Sequence, residues 1–160
     1  MNKAALPVLA MLVVATPLSA RESLGVYVNW AAFRDDAPSR CYAIAKPIRS
    51  SDAGTFASIA TWPDRNLRGQ LHIRLSRQVR DDAETELTVG ERKFELITKG
   101  RNAWAKDNAM DTSIIAAMRS ATRMSVAARA NNGVRFTDRY NLAGAATAMD
   151  ASIVGCATKG

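Results

Sequence analysis

One histidine, two cysteines and two adjacent acid pairs are the residues of this 160-residue chain best suited to acid–base, nucleophilic or metal chemistry. A Ser-His-Asp relay, a Cys-His pair or an imidazole-bound metal would each have to run through His72. The run Q-L-H-I-R-L-S puts Leu71, Ile73 and Leu75 on one parity and His72 and Arg74 on the other, so an outward, solvated imidazole is expected. Asp35-Asp36 and Asp81-Asp82 could serve glycosidic cleavage if other segments brought carboxylates across a cleft. Adjacent residues point apart, however, and both pairs sit among turn formers, where Asp is favoured for its local hydrogen bonds. No Gly-rich phosphate loop and no metal-ligand spacing occurs. The expectation is therefore no catalytic set, no metal and no cofactor.

Cys41 and Cys156 allow a single connectivity, and in an oxidising compartment a bridge between them is the favoured reading over two independent thiols. Closing a loop of that length would stabilise by about 4–5 kcal/mol in the chain-entropy model. The compartment follows from the opening residues. M-N-K, then A-A-L-P-V-L-A-M-L-V-V-A-T-P-L, then L-S-A has the charge, apolar core and small residues of a secretory signal, with cleavage after Ala20. The core is too short and proline-interrupted for a comfortable membrane span. Residues 1–20 are thus expected to be a signal peptide and 21–160 a single domain. Arg21 stands where a lipoprotein would need Cys. The formal charge is +7, one less once Lys3 leaves, which favours lipid headgroups, polysaccharide or acidic proteins as partners. Nucleic acid is not the partner expected of an exported chain, and peripheral membrane association is compatible with the absence of a second membrane-length segment.

The elements that must hold these residues are mostly strands. In Met124–Met149, Met124, Val126 and Ala128 share a face with Val134, Phe136 and Tyr140 only if the loop between them is odd. Asn131-Asn132-Gly133 supplies it, with Gly left-handed. The outer face then carries Arg123, Arg129, Arg135 and Arg139. With Arg129 opposite Arg135 the pairing is locally repulsive and is relieved by water or by an anion. These four are the candidate anion site, against the plainer reading of a solvated basic face.

In E-L-T-V-G-E-R-K-F-E-L-I the same parity argument demands an even loop, Gly90-Glu91. Arg92-Lys93 beside it is a further basic candidate. E-S-L-G-V-Y-V-N-W-A-A-F reads as one strand, R-C-Y-A-I-A-K-P and F-A-S-I-A-T-W-P as two more, and R-N-A-W-A-K as a short extended piece. Met110, Ile114, Ile115 and Met118 fall at helical spacing, with Asp107 or Asp111 to cap them. N-L-A-G-A-A-T-A-M-D-A-S-I-V-G-C reads as a small-residue helix with Asn141 as N-cap and Gly155 near its end. Seven or so short strands and two short helices predict a mainly β chain, an antiparallel, immunoglobulin-like β-sandwich. Trp30, Trp62 and Trp104 would pack in its core or, alternatively, form a sugar-binding platform.

The run I-A-A-M-R-S-A-T-R-M-S-V…G-V-R-F-T-D-R-Y-N-L-A-G-A-A-T-A-M-D, with W-A-A-F…R-C-Y-A-I-A near the start, resembles the invasion-associated locus B family of exported bacterial proteins. Arg119 stands where a residue closes that family's short helix, and Leu142-Ala143-Gly144 where an Ala-rich helix begins. Ala145 departs from the aromatic expected there, and two cysteines stand where relatives often carry more. The resemblance implies an envelope-associated β-sandwich without enzymatic activity. The expected function is an exported interaction module of the periplasm or cell envelope, binding an anionic envelope or host component. The alternative is a small envelope hydrolase using acidic residues. Oligomeric state is left open.

Overall fold

The computed structural model describes residues 21–49, 52, 54–81 and 83–157. The expected signal peptide over residues 1–20 and the acid Asp82 lie outside the described residues. The strands are β1 (Glu22–Tyr27), β2 (Trp30–Asp36), β3 (Ser39–Ala45), β4 (Phe56–Trp62), β5 (Leu67–Arg74), β6 (Glu86–Val89), β7 (Arg92–Glu95), β8 (Ile97–Lys99), β9 (Asn102–Trp104), β10 (Arg123–Arg129) and β11 (Arg135–Asn141). Two helices complete the set, α1 (Asn108–Ser120) and α2 (Ala145–Ala157). They form two packed antiparallel sheets, one in the order β1-β2-β3-β4-β5-β9-β8 and the other β11-β10-β6-β7. The mainly β sandwich with two short helices is what the hydrophobic periodicity predicts.

Both hairpins take the loop lengths that parity demands. Met124 faces Tyr140 and Ala128 faces Phe136 across β10–β11, closed by a loop whose Gly133 has φ +82°, a conformation that disfavours any side chain. Leu87 faces Phe94 and Val89 faces Arg92 across β6–β7, around Gly90-Glu91. The same register sets Asp138 opposite Val126 on the inner face, where it is buried and accepts the Ser76 N–H at 2.8 Å.

The first strand is a correction. Tyr27 pairs with Trp30, so the expected single strand is a hairpin turning at Val28-Asn29. Val28 has φ +56°, a left-handed conformation that β-branched residues rarely adopt, and Asn29 by itself does not mark a break in an apolar run. Strands also exceed the expected seven or so because the chain changes sheets. β7 belongs to the small sheet and β8 to the large one, with buried Leu96 between them donating its N–H to Thr85.

The core joins Leu71, Ile73 and Leu75 of the large sheet and its exit to Leu87, Val126 and Tyr140 of the small one. Helix α2 covers the inner face of β1–β4, and α1 packs on β5, β6 and β7. Asp107 caps α1 by accepting the Met110 N–H at 2.8 Å. Asp111 does something else. Buried in the first turn, it accepts the Leu71 N–H at 2.8 Å, where β5 extends beyond its pairing with β9. Asn141 is not the cap of α2. It ends β11, its side chain accepts the Ala143 N–H at 2.8 Å, and the helix begins at Ala145. Gly155 lies inside the helix, buried against Leu24.

Cys41 of β3 and Cys156 of α2 form a disulfide with a Cα–Cα distance of 5.7 Å, so the helix is tied to the strand it covers. Such a bridge marks a non-reducing, exported location. Among the described residues no helix is long and apolar enough to cross a membrane.

Candidate functional site

Strand alternation turns the odd-numbered residues of β10 and β11 outward, and all four predicted arginines are exposed there. Arg129 lies directly opposite Arg135, while Arg139 faces Ser125 and Arg123 faces Asn141. Two basic pairs result, separated along β11 by four residues, or about 13 Å. Between them the strip carries only Ser125, Ala127 and Thr137, so nothing bulky stands above the sheet. Arg129 donates to the Gly133 carbonyl at 2.6 Å, which holds its guanidinium over the loop. At that end a hollow of about 570 Å³ is bordered by Arg80, Arg129, Arg135 and Phe136, and Glu84 and Glu86 line it too, Glu86 from the position opposite Ala127 on β6. Glu86 is engaged by Lys93 at 3.0 Å.

The other basic candidates are spent internally. Lys93 is held by that bond, and Arg92 lies over the Phe94 ring at 5.1 Å and donates to the Ser113 carbonyl at 3.2 Å.

The chemistry-bearing residues do not converge. His72 is outward on β5, as parity predicts, but it is half-buried rather than a plain surface histidine. Its ring stacks on Trp104 at 5.6 Å and meets the edge of Phe56 at 5.2 Å. Its Nε2 shares a hydrogen bond with Asn102 at 2.9 Å. Burial pushes the imidazole below its ordinary pKa, against the Asn102 bond and with repulsion from Arg74 and Arg40.

Asp35 and Asp36 end strand β2 instead of lying in a solvated turn. Asp35 is bonded by Arg40 at 2.7 Å and Arg21 at 3.1 Å. Burial alone would raise its carboxyl, but the hydrogen bonds from both arginines outweigh it and hold the group low. Asp81 accepts the Gly100 N–H at 3.1 Å. None of these side chains borders the hollow beside Arg129, the one between β4 and α2 or the one at the β1–β2 turn. Among the described residues no three His, Cys, Asp or Glu side chains are placed to hold a metal ion.

Sequence reasoning missed an array on the outer face of the large sheet. Phe33 and Tyr42, neighbours across β2–β3, lie under Arg21 at 5.7 and 5.6 Å. Arg40 covers Tyr42 at 4.7 Å and Trp62 at 5.4 Å, and Arg65 covers Trp62 again at 4.8 Å. The signal was present in R-C-Y, where Arg40 and Tyr42 share a parity, but the array exists only once four segments are in register. Of the three tryptophans, Trp30 alone is in the core, its Nε1 donating to the Asn141 carbonyl at 2.9 Å. Trp62 is faced by guanidinium groups and Trp104 by His72, so the rings do not form an open sugar platform.

Comparison with family models, with curated proteins and with solved structures gives no match.

Proposed function

We propose that the protein is an exported, non-enzymatic cell-envelope module, of the kind its resemblance to the invasion-associated locus B family implies. In this reading residues 1–20 are removed on entry to the periplasm, and the outer face of β10–β11 holds an anionic partner. One observation carries it. Arg21, Arg34, Arg40, Arg101, Arg119 and Lys93 are each joined to a carboxylate. Arg123, Arg129, Arg135 and Arg139 share one face, and among the described residues no carboxylate is bonded to any of them. Like charges directly opposed across a strand pair are destabilising, and an anion spanning Arg129 and Arg135 reverses the sign of that interaction. The separation of the two basic pairs suits a partner with repeated charges better than a single small anion.

The hydrolase alternative gains no observation of its own, since Asp35 is locked between two arginines and Asp81 caps a turn. The test is the double substitution Arg129→Ala with Arg135→Ala, read by binding to dextran sulfate at low ionic strength. A loss of about tenfold, with unchanged thermal unfolding and a weaker dependence on salt, is expected. Equal binding by the two proteins at low salt would refute the assignment.

A further inference from the structure

We propose that the anionic partner is a lipid bilayer, on which the protein seats through an apolar corner made by the β1–β2 turn and Ile48. The proposal rests on the anion-binding reading above and names the partner it takes. Val28 and Val26 are 78% and 73% exposed, and Ile48 is 57% exposed. All three border one open hollow of about 730 Å³ lined also by Phe33, Ile44 and Phe56, in which Lys46 is the only charged lining residue among the described residues. The corner is continuous with the basic strand. Ile48 donates its N–H to the Arg139 carbonyl at 2.7 Å, and exposed Arg49 follows it.

Val28 is the decisive residue. In a two-residue hairpin turn the first position, when left-handed, is ordinarily glycine. A valine there at φ +56° is strained, and strain of this kind marks positions with a use beyond the fold. The turn is held from behind and cannot relax: Asn29 donates to the Ala143 carbonyl at 3.2 Å, and the Tyr27 carbonyl abuts Gly144. An aliphatic side chain is thus displayed outward on a rigid mount.

The chemistry separates a bilayer from a protein partner. Protein contacts concentrate on a few anchors buried in fitted pockets, whereas here Val26, Val28 and Ile48 protrude into solvent beside basic side chains. That combination gains from apolar transfer into the acyl region and from anionic headgroups together.

The experiment is co-sedimentation of the full protein with vesicles of phosphatidylcholine alone or mixed with phosphatidylglycerol, with dextran sulfate binding measured in parallel. Wild type is expected on the mixed vesicles and not on phosphatidylcholine alone. Val28→Asn removes the aliphatic group yet suits the left-handed backbone, so its melting temperature should not fall while vesicle binding drops about tenfold. Ile48→Ser, in an irregular segment, gives the same readout without touching the turn. Neither should change dextran sulfate binding. Vesicle binding unaltered in both variants, or equal on the two lipid compositions, overturns the bilayer proposal while dextran sulfate binding through Arg129 and Arg135 keeps the wider reading. Binding to neither probe overturns both.

Discussion

His72 has an environment that makes a pH dependence readable near neutrality. Packed between Phe56 and Trp104, its imidazole is pushed below the ordinary value of about 6.5. The unfolded chain therefore takes up the proton first. The contribution to stability is complete above about pH 6.5 and is lost as pH falls from there towards the folded value. His72→Phe keeps the ring contacts and removes the proton, so urea midpoints should fall less steeply with acidification than in wild type; an equally steep curve would place the effect elsewhere. Asp35 acts in a lower window, since a depressed carboxyl stabilises above its unfolded value and loses that contribution as pH falls through the folded one. Burial raises the Asp111 carboxyl, so its sign is opposite, with stability declining as pH rises through its folded value. Parity along β5 was enough to turn His72 outward. It could not supply Phe56 and Trp104, which come from other strands and depend on a register that no single strand encodes.

At the level of elements, the tightest junction is between the β1–β2 hairpin and the start of α2. A Cβ on Gly144 would sit 1.8 Å from the Tyr27 carbonyl oxygen, and its φ is +89°. Gly144→Ala should cost more than ~2 kcal/mol, read as a lowered denaturant midpoint, because backbone on both sides has no room to shift. An alanine variant as stable as wild type would mean that the hairpin is not held there. Elements with their own periodicity were legible: both later hairpins, down to loop length, and α1, whose cap was narrowed to Asp107 or Asp111. Elements defined by a partner were not. The β1–β2 turn has Asn29 as its one turn former, behind a valine, the change of sheet at Leu96 leaves no local mark, and Asp111 serves a strand edge distant in sequence. The four arginines were legible as a face because they lie on one hairpin, whereas the arginine–aromatic array had to be assembled from four segments.

For the molecule as a whole, the Cys41–Cys156 bridge spans a sequence separation of 115. Cys156→Ala with Cys41→Ala should lower unfolding free energy by about 4–5 kcal/mol, measured by denaturant titration against the oxidised wild type. A loss near zero would show that α2 stays on its sheet without the bond. Pairing was legible because only two cysteines exist, and with it the close seating of the small-residue helix on the Cys41 strand; its spread over β1–β4 was not, since its Ala-rich surface has no strongly amphipathic pattern. That packing sets an order of events. Strands β1 to β5 are neighbours in both sequence and sheet, so they can assemble as the chain emerges on the far side of the membrane. The apolar surface they create stays uncovered until Ala145–Ala157 arrives. A nascent protein halted before that helix would be a preformed sheet with a wet inner face and an unmatched thiol, a substrate for holding chaperones and for oxidation by the wrong partner.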